Sequence, residues 1–310
     1  MTSLRQALVD YLALRRALGY RLERDEKLLD HFVDYLEDLG EERVTTKRAL
    51  AWATLPQDAD RSWYSCRLSI VRGFAAHLHA IDPATEVPAA DLLPWRRCRA
   101  TPYLYSDEEI AALIAAARTL HTPHRVATYQ TLIGLLAVTG MRVGEAIGLD
   151  RGDFDAKTGL VIVRRGKFGK SRELPIHAST VEALRSYLRR RDRPRPAAST
   201  RNNSALFVSS AGSRLLYGNV QWTFRRLVSR AGLEPRSAKC RPRLHDIRHS
   251  FAVRTITDGY REEGDTQARL ALLSTYLGHV DPSATYWYLS AAPELLNLAC
   301  SRLDRFGGDS

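Results

Sequence analysis

Long apolar runs are missing from this chain of 310 residues. Nothing in it approaches the ~18 consecutive apolar residues of a membrane-spanning helix. The first stretch, MTSLRQALVDYLALRRALGY, is interrupted by Arg5, Asp10, Arg15 and Arg16, which suits an amphipathic helix and not a secretion signal. Cysteine is scarce, at four residues: Cys66, Cys98, Cys240 and Cys300 form no C-x-x-C pair and read as reduced thiols of a cytoplasmic protein. No repeat of the length that builds solenoids is visible. A nucleotide loop is also absent, because Gly169-Lys170-Ser171 has Arg164 where the required first glycine would stand, and a strand follows where a helix is needed. His245 and His249 have zinc-ligand spacing, but Asp246 replaces the glutamate of the zinc-protease motif and no third ligand follows.

Acidic excess is lacking too. The net charge is +11, and it is unevenly spread. Residues 1–100 carry 15 Lys+Arg against 15 Asp+Glu, which leaves 31 against 20 for the remainder. A basic excess confined to one segment is the electrostatic footprint of a nucleic-acid surface, although many basic domains bind nothing.

The chain is long enough for about two domains. Residues 1–95 read as helices: Leu4, Leu8, Tyr11 and Leu12, then Leu28, Leu29, Phe32 and Leu36 up to Gly40, a third helix from Thr45 or Thr46, and a fourth over about 62–79. Pro94 and Pro102 bracket an aperiodic segment bearing Arg96, Arg97 and Arg99, which makes 96–103 an interdomain linker lying on something negatively charged. Ser106 to Glu109 forms a capping box ahead of Ile110, Leu113, Ala117 and Leu120, and a buried helix follows at 131–138. Leu160–Val163 and Glu173–Ile176 are candidate paired strands around a basic hairpin tip. Residues 190–205 read as an exposed connection, and helix resumes from Asn219. The expected fold is mainly α with a small antiparallel sheet: an all-α domain, then an α+β domain over 104–310.

Five short motifs carry chemistry. Thr139-Gly140-Met141-Arg142 places an arginine at a helix junction, where N–H groups and the dipole also favour an anion; Glu145, three residues on, shares its helical face. Read alone, the motif is more simply a glycine cap with a surface ion pair. The hairpin tip carries Lys167, with Arg164, Arg165 and Lys170 beside it; a solvated basic turn fits as well. His245 and Arg248, three apart, are able to address one phosphate from one helical face. Leu277-Gly278-His279 and the late tyrosines Tyr276, Tyr286 and Tyr288 complete the set. Arginines grip phosphate through a planar fork, histidines move protons near neutrality, and a tyrosine hydroxyl with its proton removed attacks phosphorus. Together they suggest metal-free phosphoryl transfer on DNA.

In order and spacing these motifs resemble the tyrosine recombinases, the family of phage integrases, Xer recombinases and Cre. The resemblance is strong over 104–290 and weak over 1–95. It implies that Arg142 and Arg248 bind the scissile phosphate, Lys167 protonates the departing 5′ oxygen, His245 assists proton transfer, His279 hydrogen-bonds the phosphate, and Tyr288 is the nucleophile. Tyr286 stands two residues too early for the family spacing. Glu145 and His249 would support these groups, and Arg96, Arg97, Arg99, Arg164, Arg165 and Lys170 would track DNA. The implied partners are double-stranded DNA recombination sites, three further copies in a tetramer, and sibling recombinases or accessory factors. No cofactor and no membrane are implied. The apolar stripe Leu296, Cys300, Leu303, Phe306 would dock on a neighbouring copy, or else on its own domain. A type IB topoisomerase and a non-catalytic DNA-binding protein are the competing readings.

Overall fold

A computed structural model describes residues 3–20, 22–93, 101–164, 171–192, 203–261 and 266–278. The chain divides into two compact units, Met1–Arg99 and Ala100–Ser310.

The first unit holds four helices: α1 (Leu4–Ala17), α2 (Glu23–Asp38), α3 (Thr46–Thr54) and α4 (Arg61–Ile81). Ser3, Thr45 and Asp60 cap α1, α3 and α4 by accepting from backbone N–H groups of the first turn. The apolar stripes meet in a core of Leu8, Leu29, Phe32, Leu36, Trp52, Leu68 and Phe74, each at most 1% exposed. Burial of each such side chain stabilises by roughly 1.5–3 kcal/mol before chain entropy is set against it. The basic groups here are heavily engaged. Arg5, Arg16, Arg43 and Arg48 pair with carboxylates. Arg24 lies over Trp63 and Arg67, itself buried, over Trp52.

The second unit begins with its own core, because Tyr103 and Tyr105 are buried in it. The expected linker of 96–103 is therefore too long at its carboxyl end: Tyr103 packs with the domain that follows. Helices α5 (Asp107–Ala116), α6 (Pro123–Thr139) and α7 (Val143–Gly148) come next, then strands β1 (Phe154–Asp155), β2 (Leu160–Val163) and β3 (Arg172–Pro175). They are followed by α8 (Ala178–Arg191), α9 (Tyr217–Arg230), α10 (Asp246–Arg261) and α11 (Thr266–Leu277). Ser106 and Glu109 form the expected capping box of α5. Helix α6 is apolar on several sides and packs against α5, α8 and α10, which makes it the axis of the unit. It starts well before the expected 131–138, since Thr122 caps it and Pro123 occupies its first turn.

The sheet is antiparallel in the order β1-β2-β3, with Val161 opposite Leu174 and Val163 opposite Arg172. Only β2 and β3 were legible; β1 is two residues long and owes its strand geometry to pairing with β2. The expected exposed connection at 190–205 is shorter than its sequence suggests. Arg191 is buried and donates to the carbonyls of Asn203 and Ala205, while Ala205 and Leu206 are fully buried. Among the described residues no helix is long and apolar enough to cross a membrane.

Candidate active site

The geometry of the site is set by how two helices stop and a third begins. Helix α6 ends at Gly140 in the left-handed conformation, φ +58°, which turns the chain directly into Arg142. A Cβ at Gly140 would stand 2.3 Å from Cδ1 of Phe251, so the close packing of α10 also demands glycine. Helix α7 then begins after Arg142, whose backbone N–H donates to Oε2 of Glu145 at 2.8 Å while Nη1 donates to Oε1 at 2.8 Å. Helix α11 ends at Leu277, and Gly278 follows at φ +67°.

The two arginines meet at this last turn. Arg142 Nη2 donates to the carbonyl of Gly278 at 3.4 Å, and Arg248 Nη2 donates to that of Leu277 at 2.7 Å. Arg248 Nη1 also donates to the carbonyl of Gly140 at 2.9 Å, and the residue is 3% exposed. Arg142 keeps 25% of its side chain open to solvent. Two guanidiniums far apart in sequence are thus brought to one place by main-chain oxygens, directly ahead of His279 in the chain.

His245 lies one residue before α10 and not on its face, since the helix begins at Asp246. The two sites stay adjacent because the N–H of Arg248 donates to the carbonyl of His245 at 3.2 Å. The His245 pKa is pushed down to about 4, by lost hydration first and then by the guanidiniums of Arg248, Arg142 and Arg243. The residue keeps solvent contact, so the guanidinium field is the firmer cause. Its ring meets that of His249 edge-on, with centroids 4.8 Å apart. His249 stands 3.9 Å from the buried carboxylate of Asp246, which Arg243 grips with two hydrogen bonds of 2.9 Å. Burial pushes the Asp246 carboxyl above its ordinary value, against the pull of Arg243. Among the described residues no group of three or more His, Cys, Asp or Glu stands together as metal ligands would.

Arg172, which the sequence reading passed over, joins this cluster from β3. Its Nη1 and Nη2 donate to Oε1 and Oε2 of Glu145 at 3.1 and 2.8 Å, and its Nε to the carbonyl of Tyr276 at 2.8 Å. The signal was available: strand alternation puts residue 172 on the same face as Leu174, which is fully buried, and a charge on an inward face needs a partner. Burial would raise the Glu145 pKa, but hydrogen bonds and charge from Arg172 and Arg142 outweigh it and hold the carboxyl down at about 2.

Arg164 is exposed and pairs through Nε with Asp153 at 2.5 Å. Arg96, Arg97, Arg99, Arg165, Lys167, Lys170, His279, Tyr286, Tyr288 and the stripe from Leu296 to Phe306 lie outside the described residues.

Two arginines converge on the end of α11 within this fold, and comparison with known proteins gives the family. The chain belongs to the phage integrase family, whose model matches residues 104–294, and it is a site-specific tyrosine recombinase. It is 43% identical over 310 residues to y4rB of Sinorhizobium fredii, named an integrase/recombinase, with 98% of each chain covered. It is 32% identical over 221 residues to tyrosine recombinase XerC of Azotobacter vinelandii, covering 71% of this chain and 67% of that one. Among solved structures, XerH bound to its palindromic difH substrate superposes with a TM-score of 0.63 at 20% identity, over 97% of this chain and 85% of that one. The Tn1549 transposon integrase with transposon right-end DNA gives 0.64 at 16% identity, over 98% and 99%. These likenesses show the same fold, mainly α with a small antiparallel sheet.

Proposed function

We propose that this enzyme cuts and rejoins double-stranded DNA at specific sites through a covalent 3′-phosphotyrosine at Tyr288. The tyrosine oxygen attacks phosphorus as the bond to the 5′ oxygen breaks. Arg142 and Arg248 neutralise the non-bridging oxygens as charge builds in the transition state, His279 adds a hydrogen bond, and Lys167 protonates the departing oxygen. His245, deprotonated at neutral pH, takes the tyrosine proton. The phosphotyrosine conserves the energy of the broken bond, so religation needs neither nucleotide nor metal. Two rounds of exchange would pass through a Holliday junction in a tetramer, with the terminal stripe docking on a neighbouring copy. Sibling recombinases or accessory factors would set direction.

The first unit would close on DNA as a core-binding domain, with the arginines at 96, 97 and 99 on the backbone between the two units. The Tn1549 integrase binds its transposon end and y4rB is named an integrase/recombinase, which supports reading this chain as the integrase or transposase of a mobile element. One observation carries the proposal: Arg142 and Arg248 hang from the successive carbonyls of Gly278 and Leu277, so both donors converge immediately before His279.

The test is covalent trapping. Nicked DNA from the ends of the host element is incubated with protein in EDTA and resolved on a denaturing gel, with Tyr288→Phe and Tyr286→Phe alongside wild type. An adduct lost only in Tyr288→Phe supports the mechanism. Tight binding without an adduct on any fragment would sink it in favour of a non-catalytic DNA-binding protein.

A further inference from the structure

Glu145 is a buried carboxylate, with 7% of its side chain exposed, and its acceptor capacity is fully used. Oε1 receives Nη1 of Arg142 and Nη1 of Arg172, while Oε2 receives the backbone N–H of Arg142 and Nη2 of Arg172. Four donors meet about four lone-pair sites. Half of that hold comes from β3, outside the helix junction that places Arg142. Arg172 itself is 13% exposed, and its Nε, Nη1 and Nη2 all donate inward. It is therefore not arranged as a phosphate ligand. It also closes the cluster sideways: a Cβ on Gly278 would come within 3.2 Å of Nη1, so the end of α11 lies directly against the guanidinium.

We propose that Arg172 is the positioning residue of the catalytic centre: from β3 it clamps Glu145, and so aims Arg142, while its bond to the Tyr276 carbonyl fixes the α11 end from which Arg142 takes its other acceptor. One planar side chain thereby ties the strand after the Lys167 hairpin, the α7 start and the chain entering His279 into one rigid unit. Lysine cannot substitute, since an ammonium has no planar fork with which to meet two carboxylate oxygens and a carbonyl. The inference rests on the reading of Arg142 as a phosphate-binding residue.

A purely structural ion pair would behave differently from a positioning residue. Around the cluster, among the described residues, the ionisable groups are Arg142 ahead of α7, Arg172 from β3, Tyr276 from α11, His245 just before α10 and Arg248 in its first turn. Without Arg172, burial of Glu145 is opposed by Arg142 alone and its pKa rises. Protonated Glu145 releases Arg142, so cleavage by the variant falls more steeply toward low pH than cleavage by wild type, whose acid limb comes from His245 alone.

The experiment compares full-length wild type, Arg172→Ala and Arg172→Lys for thermal unfolding, affinity for an intact site, and single-turnover cleavage of a nicked site between pH 5 and 9. The expected result is binding within about threefold, cleavage slower by roughly 100-fold as for a misaimed catalytic group, and a rate that falls toward low pH more steeply than that of wild type. Should Arg172→Ala fail to fold, Arg172→Lys, which keeps the charge and loses the fork, decides on the same readouts. Wild-type rates with an unchanged pH profile overturn the inference, as does a loss confined to binding. Absence of cleavage by wild type instead defeats the proposed mechanism, so the two failures are separable.

Discussion

Arg248 donates to the carbonyl of Gly140 at 2.9 Å across a sequence separation of 108 residues. One arginine of the centre is thus fixed by the turn that launches the other. Any change that moves this turn displaces both, and that makes Gly140 a sharper probe of the site than either charge.

Gly140→Ala is expected to destabilise the protein by about 2–4 kcal/mol, from left-handed strain together with overpacking against Phe251. Cleavage should fall further than the loss of folded protein explains. Urea unfolding and trapping assays on the same preparation check this. Wild-type values in both would mean that the turn relaxes without cost.

His245 is expected to stay neutral well below the ordinary histidine range in the free protein, with its pKa near 4 in place of 6.5. The unfolded chain then takes up a proton that the folded one refuses, so this residue's contribution to stability falls as pH drops from 6.5 toward 4. A phosphate seated among the guanidiniums cancels their field, and the pKa should climb toward 6.5 on binding DNA. Imidazole NMR titration, free and on a nicked site with Tyr288→Phe, reads both values. An unshifted value in the free protein would show that the guanidiniums are screened.

Glu145 titrates in a separate window. Its folded value of about 2 against 4.5 unfolded stabilises the protein above pH 4.5, by about 3 kcal/mol, and that contribution is lost as pH falls toward 2. The stability gap between wild type and Glu145→Gln should therefore narrow between pH 5 and 3. A gap independent of pH in urea titrations would remove the carboxylate from the stability account.

DNA affinity should fall steeply with salt, log K declining by about 0.9 per phosphate contacted for each decade of salt. Many arginines of the second unit are already paired, among them Arg151 with Asp192, Arg189 with Glu182 and Arg214 with Asp150, so the slope should stay well below the formal basic count. Arg164→Ala is expected to lower the slope by roughly one contact. An unchanged slope would leave Arg164 as the ion-pair partner of Asp153 alone.

Much of this architecture was legible because its signals are local. Ser106 with Glu109 marks the start of α5, Gly140 the end of α6, and the β-branched run at 160–163 a strand. The order of Arg142, His245 and Arg248 pointed to the chemistry for the same reason. What escaped depends on partners distant in sequence. Strand β1 exists by pairing with β2, Arg191 is buried because the carbonyls of Asn203 and Ala205 return to it, and Arg172 has a role only where α7 and α11 converge on β3. His245 sits off the helix because α10 begins one residue later than its spacing suggests.

The centre is held largely by peptide oxygens: those of Gly140, Leu277, Gly278 and Tyr276 position three guanidiniums. A peptide oxygen is the same whichever residue supplies it. Apart from the Glu145 carboxylate that Arg142 and Arg172 share, the arginines therefore sense the path of the chain and not the side chains along it. Such a centre is tolerant of substitution wherever the path and Glu145 are kept, and intolerant of a single inserted or deleted residue between Gly140 and Arg142 or at the end of α11. Relatives with the same fold at 16–20% identity are what this kind of tolerance permits.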